Sequence, residues 1–381
     1  MELTEIRKNL DTVDKELLRL FLERMDLVDK VADIKKDSHQ PLYDPVRERQ
    51  ILAKIHESAG EPYGDFADQL YRTILELSRA RQASQLFLSS EASKRAECML
   101  ANEETILPQT GRIACFGTEG SNTQNAADKL FSHADLLFFD SFSAVVKAVQ
   151  SGLCRFGVLP IETSANGSIG RVYDLLRGAD VSIVRGIRLN IRHVLLGIKE
   201  TDLSQIRTIY THEQAAVESR SFLDNLANVN VIPCQSTAHA ARRVAEANDP
   251  SVAAIASEKC AKLYDLDVLA ENIHDNAANE TRFICIEQGA KCYAGANRLS
   301  LALTCENVAG ALFQTIAKIS ALGINMCKLE SVPIPETAFS YRFYVDLDAS
   351  LHQNGVLGLL SVLEHSCDSF QLLGNYTELI G

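Results

Sequence analysis

Three cations sit on or beside a single apolar stripe near the start of this sequence. Leu3, Ile6, Leu10, Val13, Leu17 and Leu20, then Leu27, Val31 and Ile34, advance in steps of three and four, the spacing of a helix seam. Between Leu20 and Leu27 the steps land on Arg24, and Arg7 and Lys35 lie on or next to the same stripe. Burying an unpaired cation is costly, so each of them needs an anion. A second cluster follows in "DPVRERQ". Asp44 and Pro45 open a helix, Asp44 as cap and Pro45 in the first turn, where its missing N–H matters least. Yet Arg47 and Arg49 flank Glu48 where the helix dipole favours anions. Ser78 and Gln82 are one helical turn apart further on. Cations, two carboxylates and an amide suit a small dianion that also carries a hydroxyl. The cluster includes no His, Cys or Ser–His pair to act as nucleophile. Its chemistry is therefore electrostatic stabilisation of a unimolecular rearrangement. The plain alternatives are an intersubunit salt bridge or a snorkelling side chain for the lone cations, and a solvated turn at Arg47–Arg49.

The elements that must position these groups are helices. Residues 3 to about 100 read as helix only, with a second helix starting near Pro45 and a third running from about Phe66 past Gln82; "KKDSHQPLYD" and "SAGEPYGD" between them are rich in turn formers. A helix from 3 to 36 is about 50 Å long at about 1.5 Å per residue. A domain of this size has a radius of gyration of only about 12 Å. One subunit hardly covers such a helix, which predicts a homodimer with long helices crossing between chains. Residues 88 to 111 lose the pattern and read as helix end plus linker.

From 112 onward strands alternate with helices. "RIACFG", "LLFFD", "FGVLPI", the long run "VSIVRGIRLNIRHVLLGI", "IRTIYT", "VNVIPC", "VAAIAS", "VLAENI" and "TRFICIE" read as strands, and "QAAVESRSFLDNL" and "STAHAARRVAEAN" are among the helices between them. This predicts an α/β domain in two lobes around a cleft. After "GANRL" the order becomes β-α-β-β-α-β, the ferredoxin-like split arrangement. Such a small sheet has an edge open to pairing, a second candidate dimer contact.

Composition narrows the partners. Apolar residues at 46% and charged residues at 23% are an ordinary soluble balance, and the net charge of −12 argues against nucleic acid or an anionic membrane. An anionic ligand then needs a local basic pocket. The longest apolar runs are too short to span a bilayer, and the charged, periodic start is unlike a signal peptide. The ten cysteines form no CxxC pair and none sits near a His at metal-ligand spacing. They read as free thiols of a cytoplasmic protein with no zinc site and no other cofactor.

The run Arg7, Arg24, Lys35, Asp44, Arg47, Glu48, Ser78 and Gln82 on three helices resembles the all-helical chorismate mutase domain. The resemblance extends along the chain to the bifunctional chorismate mutase–prephenate dehydratases. "FGTEGSNTQNAA" and "LPIETSANGSIGRVYDLL" resemble two dehydratase signatures and "NETRFICI" its Thr-Arg-Phe motif, while "AGALF" and "LESVP" look like the ligand-binding motifs of a C-terminal ACT regulatory domain. The implied organisation is multidomain: a helical mutase domain over 1–90, a linker over 91–110, a two-lobed α/β dehydratase over 111–290 and an α+β ferredoxin-like ACT domain over 297–381. The implied function is conversion of chorismate to prephenate and of prephenate to phenylpyruvate, with phenylalanine as effector.

By that resemblance, Arg24 and an Arg7 from the partner chain hold two carboxylates, bidentate geometry being what guanidinium offers. Arg47 faces the dianion, Glu48 the ring hydroxyl with Asp44 beside it, and Lys35 and Gln82 the ether oxygen, with Ser78 in the same pocket; Arg49 is solvated. In the dehydratase, Thr281 polarises the leaving hydroxyl by an oriented hydrogen bond. Arg282 pairs with a carboxylate of substrate or protein. Backbone N–H groups at Gly120–Ser121 are candidates for a substrate carboxylate. Ser121, Thr123, Glu162, Thr163, Asn166, Thr211, Gln214, Ser236, Thr237 and Phe283 are the further substrate-binding candidates, though helix capping is the plain role for several of them. His193 and His212 read as structural or orienting. Gly310, Ala311, Leu312, Glu330 and Ser331 are the implied phenylalanine-binding residues.

Two positions depart from the family pattern. Thr163 stands where an Asn usually follows Glu162, and a hydroxyl replaces an amide that both donates and accepts. Val332 stands where "ESRP" has Arg, and cannot pair with a carboxylate. Two rival readings are a two-lobed small-molecule binding protein, and a mutase whose dehydratase is impaired or retuned. Fusion to a dehydrogenase would require GxGxxG after a strand, and "FGTEGS" is not one.

Overall fold

The computed structural model describes residues 3–38, 44–86, 90–164, 167–226, 228–276, 278–308, 310–334 and 340–381. Asn166 lies outside them. The chain divides into two compact units, Met1–Cys98 with Leu299–Leu372, and Met99–Arg298 with Leu373–Gly381. This differs from the domain boundaries expected above. The helical segment and most of the C-terminal segment form one unit, and the α/β segment takes up the last residues of the sequence.

In the first unit, α1 (Leu3–Ser38), α2 (Pro45–Ala59) and α3 (Gly64–Leu86) are the three expected helices. Asp44 caps α2, its Oδ1 accepting from Val46 N at 3.1 Å and Arg47 N at 2.9 Å. α3 is the hub. It packs on α1, on α2 and on helices Ala311–Ser320 and Val356–Ser366. The face of α1 buried against its own chain is not the expected seam. Val28 and Ala32 are buried, with Arg24 and Lys35 half-buried in line with them, while Leu3, Leu10, Leu17, Leu27 and Ile34 are all more than half exposed. The four-residue steps from Arg24 to Val28 to Ala32 define a second stripe, on which the cations hide a short apolar face.

The C-terminal strands Arg298–Thr304, Met326–Pro333, Tyr341–Leu347 and Ser369–Ile380 come in the order second–third–first–fourth. With the two helices this gives the expected split β-α-β-β-α-β arrangement. The outer strand, Met326–Pro333, alternates between half-buried and exposed positions and buries none of its residues.

The second unit has two sheets. In the larger, the strand order is His133–Phe139, Thr110–Phe116, Phe156–Thr163, Glu280–Gln288, Val181–Asn190, followed by the later part of Ser369–Ile380 running parallel to Val181–Asn190. Strand Glu280–Gln288 is therefore central, with Thr281 opposite Thr163 on one side and Leu189 on the other. Ile113, Cys115, Val158, Phe283 and Cys285 belong to the core on one face of this sheet. The smaller sheet has five strands, ordered Asp267–Ala270, Val194–Gly197, Val252–Ala256, Thr208–Thr211, Asn230–Pro233.

Three expectations are corrected here. The run 181–198 is two strands in two different sheets, joined by residues 191–193. The apolar pattern continues through the crossing, so period alone cannot reveal it. The segment 214–226 is broken at Ser219 into helices Glu213–Glu218 and Arg220–Asp224. The stretch 91–110, expected as linker, contains helix Glu91–Ala101, in which Ala92, Ala96 and Met99 are buried. Its small apolar residues recur at helical spacing. Its first turn is fixed by Ala92 N donating to Glu364 Oε2 at 2.8 Å. Among the described residues, no helix is long and apolar enough to cross a membrane.

Candidate functional site

The first candidate site lies between α1, α2 and α3. Arg24 donates to the Ser78 hydroxyl, which in turn donates to Ile74 O at 2.6 Å. That hydroxyl is the guanidinium's only hydrogen-bond partner among the described residues, and no carboxylate forms an ion pair with it. Burial pushes the Arg24 pKa down, with Tyr71 and Glu48 acting in the other direction. A half-buried cation without a carboxylate is a site prepared for an anionic ligand. One turn on, Gln82 is buried, and its Oε1 has no hydrogen-bond partner among the described residues. Lys35 is half-buried three turns further along α1 on the same face.

Other members of the expected set are placed differently. Asp44 is committed to capping α2. Of Arg47, Glu48 and Arg49, Glu48 alone is half-buried; Arg47 is exposed like Arg49, so it does not turn inward within a single chain. Arg7 is exposed and lies about 25 Å along α1 from Arg24, at about 1.5 Å per residue. It cannot join Arg24 in its own chain. Glu48 is held by Arg79, a residue that the sequence reading missed. Arg79 follows Ser78 directly, and in sequence it reads as one more charged helix position.

In the second unit the hydroxyl and amide candidates are mostly used by the protein itself. Ser121 caps helix Asn122–Leu130, accepting from Gln124 N at 3.3 Å. Gly120 N donates to Gln124 Oε1 at 2.6 Å and Ser121 N to Thr118 O at 3.1 Å, so the two N–H groups expected to receive a substrate carboxylate are satisfied internally. Thr123 is buried, and the fully buried Thr211 donates to Ile255 O at 3.4 Å. Ser236 caps helix Thr237–Ala247, accepting from His239 N at 3.1 Å, with Thr237 in its first turn. Phe283 is a core residue at 1% exposure, which corrects its assignment to substrate binding.

Two networks organise what remains. Glu218 accepts from Gln214 Nε2 at 2.6 Å and Asn279 Nδ2 at 2.7 Å, and pairs with His193 Nε2 at 2.7 Å. Burial opposes its ionisation, but the hydrogen bonds from His193 and Gln214, with Asn279 in support, outweigh it and hold its pKa below the usual carboxylate range. His193 thus orients, as expected, and so does His212, whose Nδ1 accepts from Gln214 N at 3.2 Å. Glu218 itself had no motif to mark it. The second network surrounds Arg282, which alternates to the opposite sheet face from Thr281 and Phe283. Arg282 pairs with Glu378, donates to the Tyr376 hydroxyl at 2.6 Å and reaches Glu162 at 3.5 Å. Glu378 also meets Arg188 at 2.8 Å and Arg298 at 3.3 Å. The carboxylate facing Arg282 is therefore the protein's own. Thr281, two residues after Asn279, stays half-buried beside Thr163.

In the C-terminal segment, Gly310 (φ +88°) precedes helix Ala311–Ser320, with Ala311 and Leu312 half-buried. Glu330 is half-buried and meets Lys328 at 3.3 Å, while Ser331 is exposed. As successive strand residues, Glu330 and Ser331 point to opposite faces, so they do not line one pocket together. Among the described residues, no cluster of His, Cys, Asp and Glu is arranged to hold a metal ion.

The chain thus combines a helical pocket that offers cations but no nucleophile with an α/β unit of two sheets. Residues 6–83 match the family model for chorismate mutase type II, and residues 113–291 that for prephenate dehydratase. The chain is 30% identical to the bifunctional chorismate mutase/prephenate dehydratase of Aquifex aeolicus, with 100% of this chain and 99% of that protein covered. It is 31% identical to the enzyme of the same description from Escherichia coli K12, with 98% and 96% covered. The crystal structure of a prephenate dehydratase in complex with L-Phe from Arthrobacter aurescens matches with a TM-score of 0.63 at 26% identity, over 70% of this chain and 90% of that one. This chain belongs to the bifunctional chorismate mutase/prephenate dehydratase family.

Proposed function

We propose that this protein rearranges chorismate to prephenate in the helical pocket and converts prephenate to phenylpyruvate, with loss of carbon dioxide and hydroxide, in the α/β unit. The observation that carries the first step is the half-buried Arg24, whose partner is a neutral hydroxyl. There it meets one substrate carboxylate, and Arg7 of the partner subunit meets the other. Lys35 and Gln82 donate to the ether oxygen as the C–O bond breaks and negative charge grows on it. Glu48 accepts from the ring hydroxyl. In the α/β unit Thr281 donates to the departing hydroxyl, and aromatisation drives the reaction. Glu218 orients Gln214 and Asn279, the latter two residues before Thr281, and Thr163 takes the place of the family's usual amide. No cofactor enters either reaction. The ten free cysteines fit the cytoplasm, where thiols stay reduced.

A time course with purified protein and chorismate tests this reading, with prephenate and phenylpyruvate quantified separately. Phenylpyruvate is the expected end product. Prephenate that accumulates and stays would reduce the activity to the mutase alone. Untouched chorismate with folded protein would favour a binding protein instead.

The exposed apolar stripe from Leu3 to Ile34 supports a homodimer in which α1 lies against a second copy. Sedimentation at micromolar concentration is expected to give a dimer; a folded monomer would remove the partner's Arg7 from the site. Phenylalanine is the proposed effector, bound near Gly310, Ala311 and Leu312 with Glu330 in the C-terminal, ACT-like domain. Titration calorimetry is expected to show heat on phenylalanine addition together with loss of dehydratase activity. Neither would occur if Val332 has abolished the site.

A further inference from the structure

Glu48, the carboxylate read above as the acceptor of the ring hydroxyl, is tied to the C-terminal segment by a chain of charges. Arg79 donates from Nη1 to Glu48 Oε1 and from Nη2 to Glu76 Oε1. Glu76 Oε2 faces Lys318 Nζ at 3.1 Å. Glu76 and Lys318 are 3% and 5% exposed, so this pair is out of water. All four residues lie within the same compact unit.

The pattern needs a reason other than stability. A buried ion pair roughly breaks even against apolar residues of the same volume, because desolvation cancels the attraction. What such a pair supplies well is geometry. A guanidinium is a planar fork that can hold two carboxylates at a fixed angle. Burial opposes the charge on Arg79, and Glu48 and Glu76 together outweigh it, pushing its pKa up. Glu76 is fixed from behind by Lys318, on helix Ala311–Ser320. A carboxylate that must accept one hydrogen bond from a substrate gains from being aimed in advance.

We propose that Arg79 is a positioning residue of the mutase site, fixing the Glu48 carboxylate toward the substrate hydroxyl, and that Glu76 and Lys318 fix Arg79 in turn. The inference rests on the role given to Glu48 above. It makes helix Ala311–Ser320, which starts directly after Gly310, part of the framework of the mutase pocket.

The test uses the full chain and steady-state mutase kinetics, with dehydratase turnover in the same preparations and far-UV circular dichroism as folding controls. Glu48→Gln and Arg79→Met are each expected to lower mutase kcat/KM about 10- to 100-fold, the scale of a misplaced active-site group. The double variant is expected to be no worse than Glu48→Gln alone, and Arg79→Lys to recover part of the loss. Multiplying losses in the double variant, or full mutase activity in Arg79→Met, would overturn the positioning role. Full activity in Glu48→Gln would instead overturn the reading of Glu48 on which it rests. If Arg79→Met loses helix content, the deciding variant is Glu76→Gln with Lys318→Met, which removes the outer pair together and leaves no buried charge unpaired. A fall in mutase kcat/KM with helix content intact is expected; an unchanged value would overturn the inference.

Discussion

Glu378→Ala is expected to destabilise the α/β unit by about 3–5 kcal/mol, the cost of removing one partner from a buried ion pair. The Glu378 side chain is 7% exposed and serves three guanidinium groups, of which Arg282 is 8% and Arg298 16% exposed. Without it, Arg282 and Arg298 both lose the carboxylate that they share, and Glu162, 3.5 Å from Arg282, has a third of its side chain open to water. The corresponding fall in melting temperature is on the order of 10 °C for a domain of this size. Because Arg282 neighbours Thr281 on one strand, dehydratase turnover is expected to fall with it while mutase turnover stays. Calorimetry of the two units and separate assays of the two reactions check this. An unchanged melting profile with full dehydratase turnover would mean that the cluster is satisfied in some other way.

Lys35→Ala and Gln82→Ala are expected to lower mutase kcat about 10²–10³-fold each, the usual effect of removing one donor aimed at a developing charge. Arg49→Ala is expected to leave kcat within a factor of about two, since exposed substitutions away from special features change little. The placement behind the contrast is physical. Gln82 is buried with an amide oxygen that has no partner among the described residues, Lys35 shares the packed face of α1 with Arg24, and Arg49 is in solvent. Comparable losses in all three variants would refute the assignment of Lys35 and Gln82 to the ether oxygen.

The helical unit shows what could be read in advance. Its three helices and the cap at Asp44 are visible in the sequence because periodicity and capping are local signals. The packing face of α1 was not legible, because two stripes compete on one helix. The longer one, from Leu3 to Ile34, stays exposed in the single chain, and the proposed second copy would cover it. The shorter, Val28 and Ala32 with Arg24 and Lys35, is masked by its own cations. Arg79, Glu218 and Glu378 escaped notice for a related reason. An isolated charged residue in a helix or strand looks solvated until folding brings its partners to it, and Glu48, Asn279 and Arg282 are far from them in sequence. Phe283 is the opposite case. It belongs to a motif that reads as ligand-binding, whereas alternation along the strand turns its side chain into the core.

The α/β unit takes residues 373–381 into its own fold, and Tyr376 and Glu378 are the partners of Arg282. This sets an order of events on the ribosome. Domains ordinarily fold as they emerge, N-terminal ones first. Here the segment 99–298 leaves the exit tunnel before the carboxylate that Arg188, Arg282 and Arg298 share, and it must wait while the following segment is synthesised. Until residues 374–380 arrive, the nascent sheet has an open edge at Val181–Asn190, beside arginines that lack this shared carboxylate. Premature termination between residues 299 and 377 would therefore release a chain that is incomplete in the earlier α/β unit as well as in the segment that was cut short.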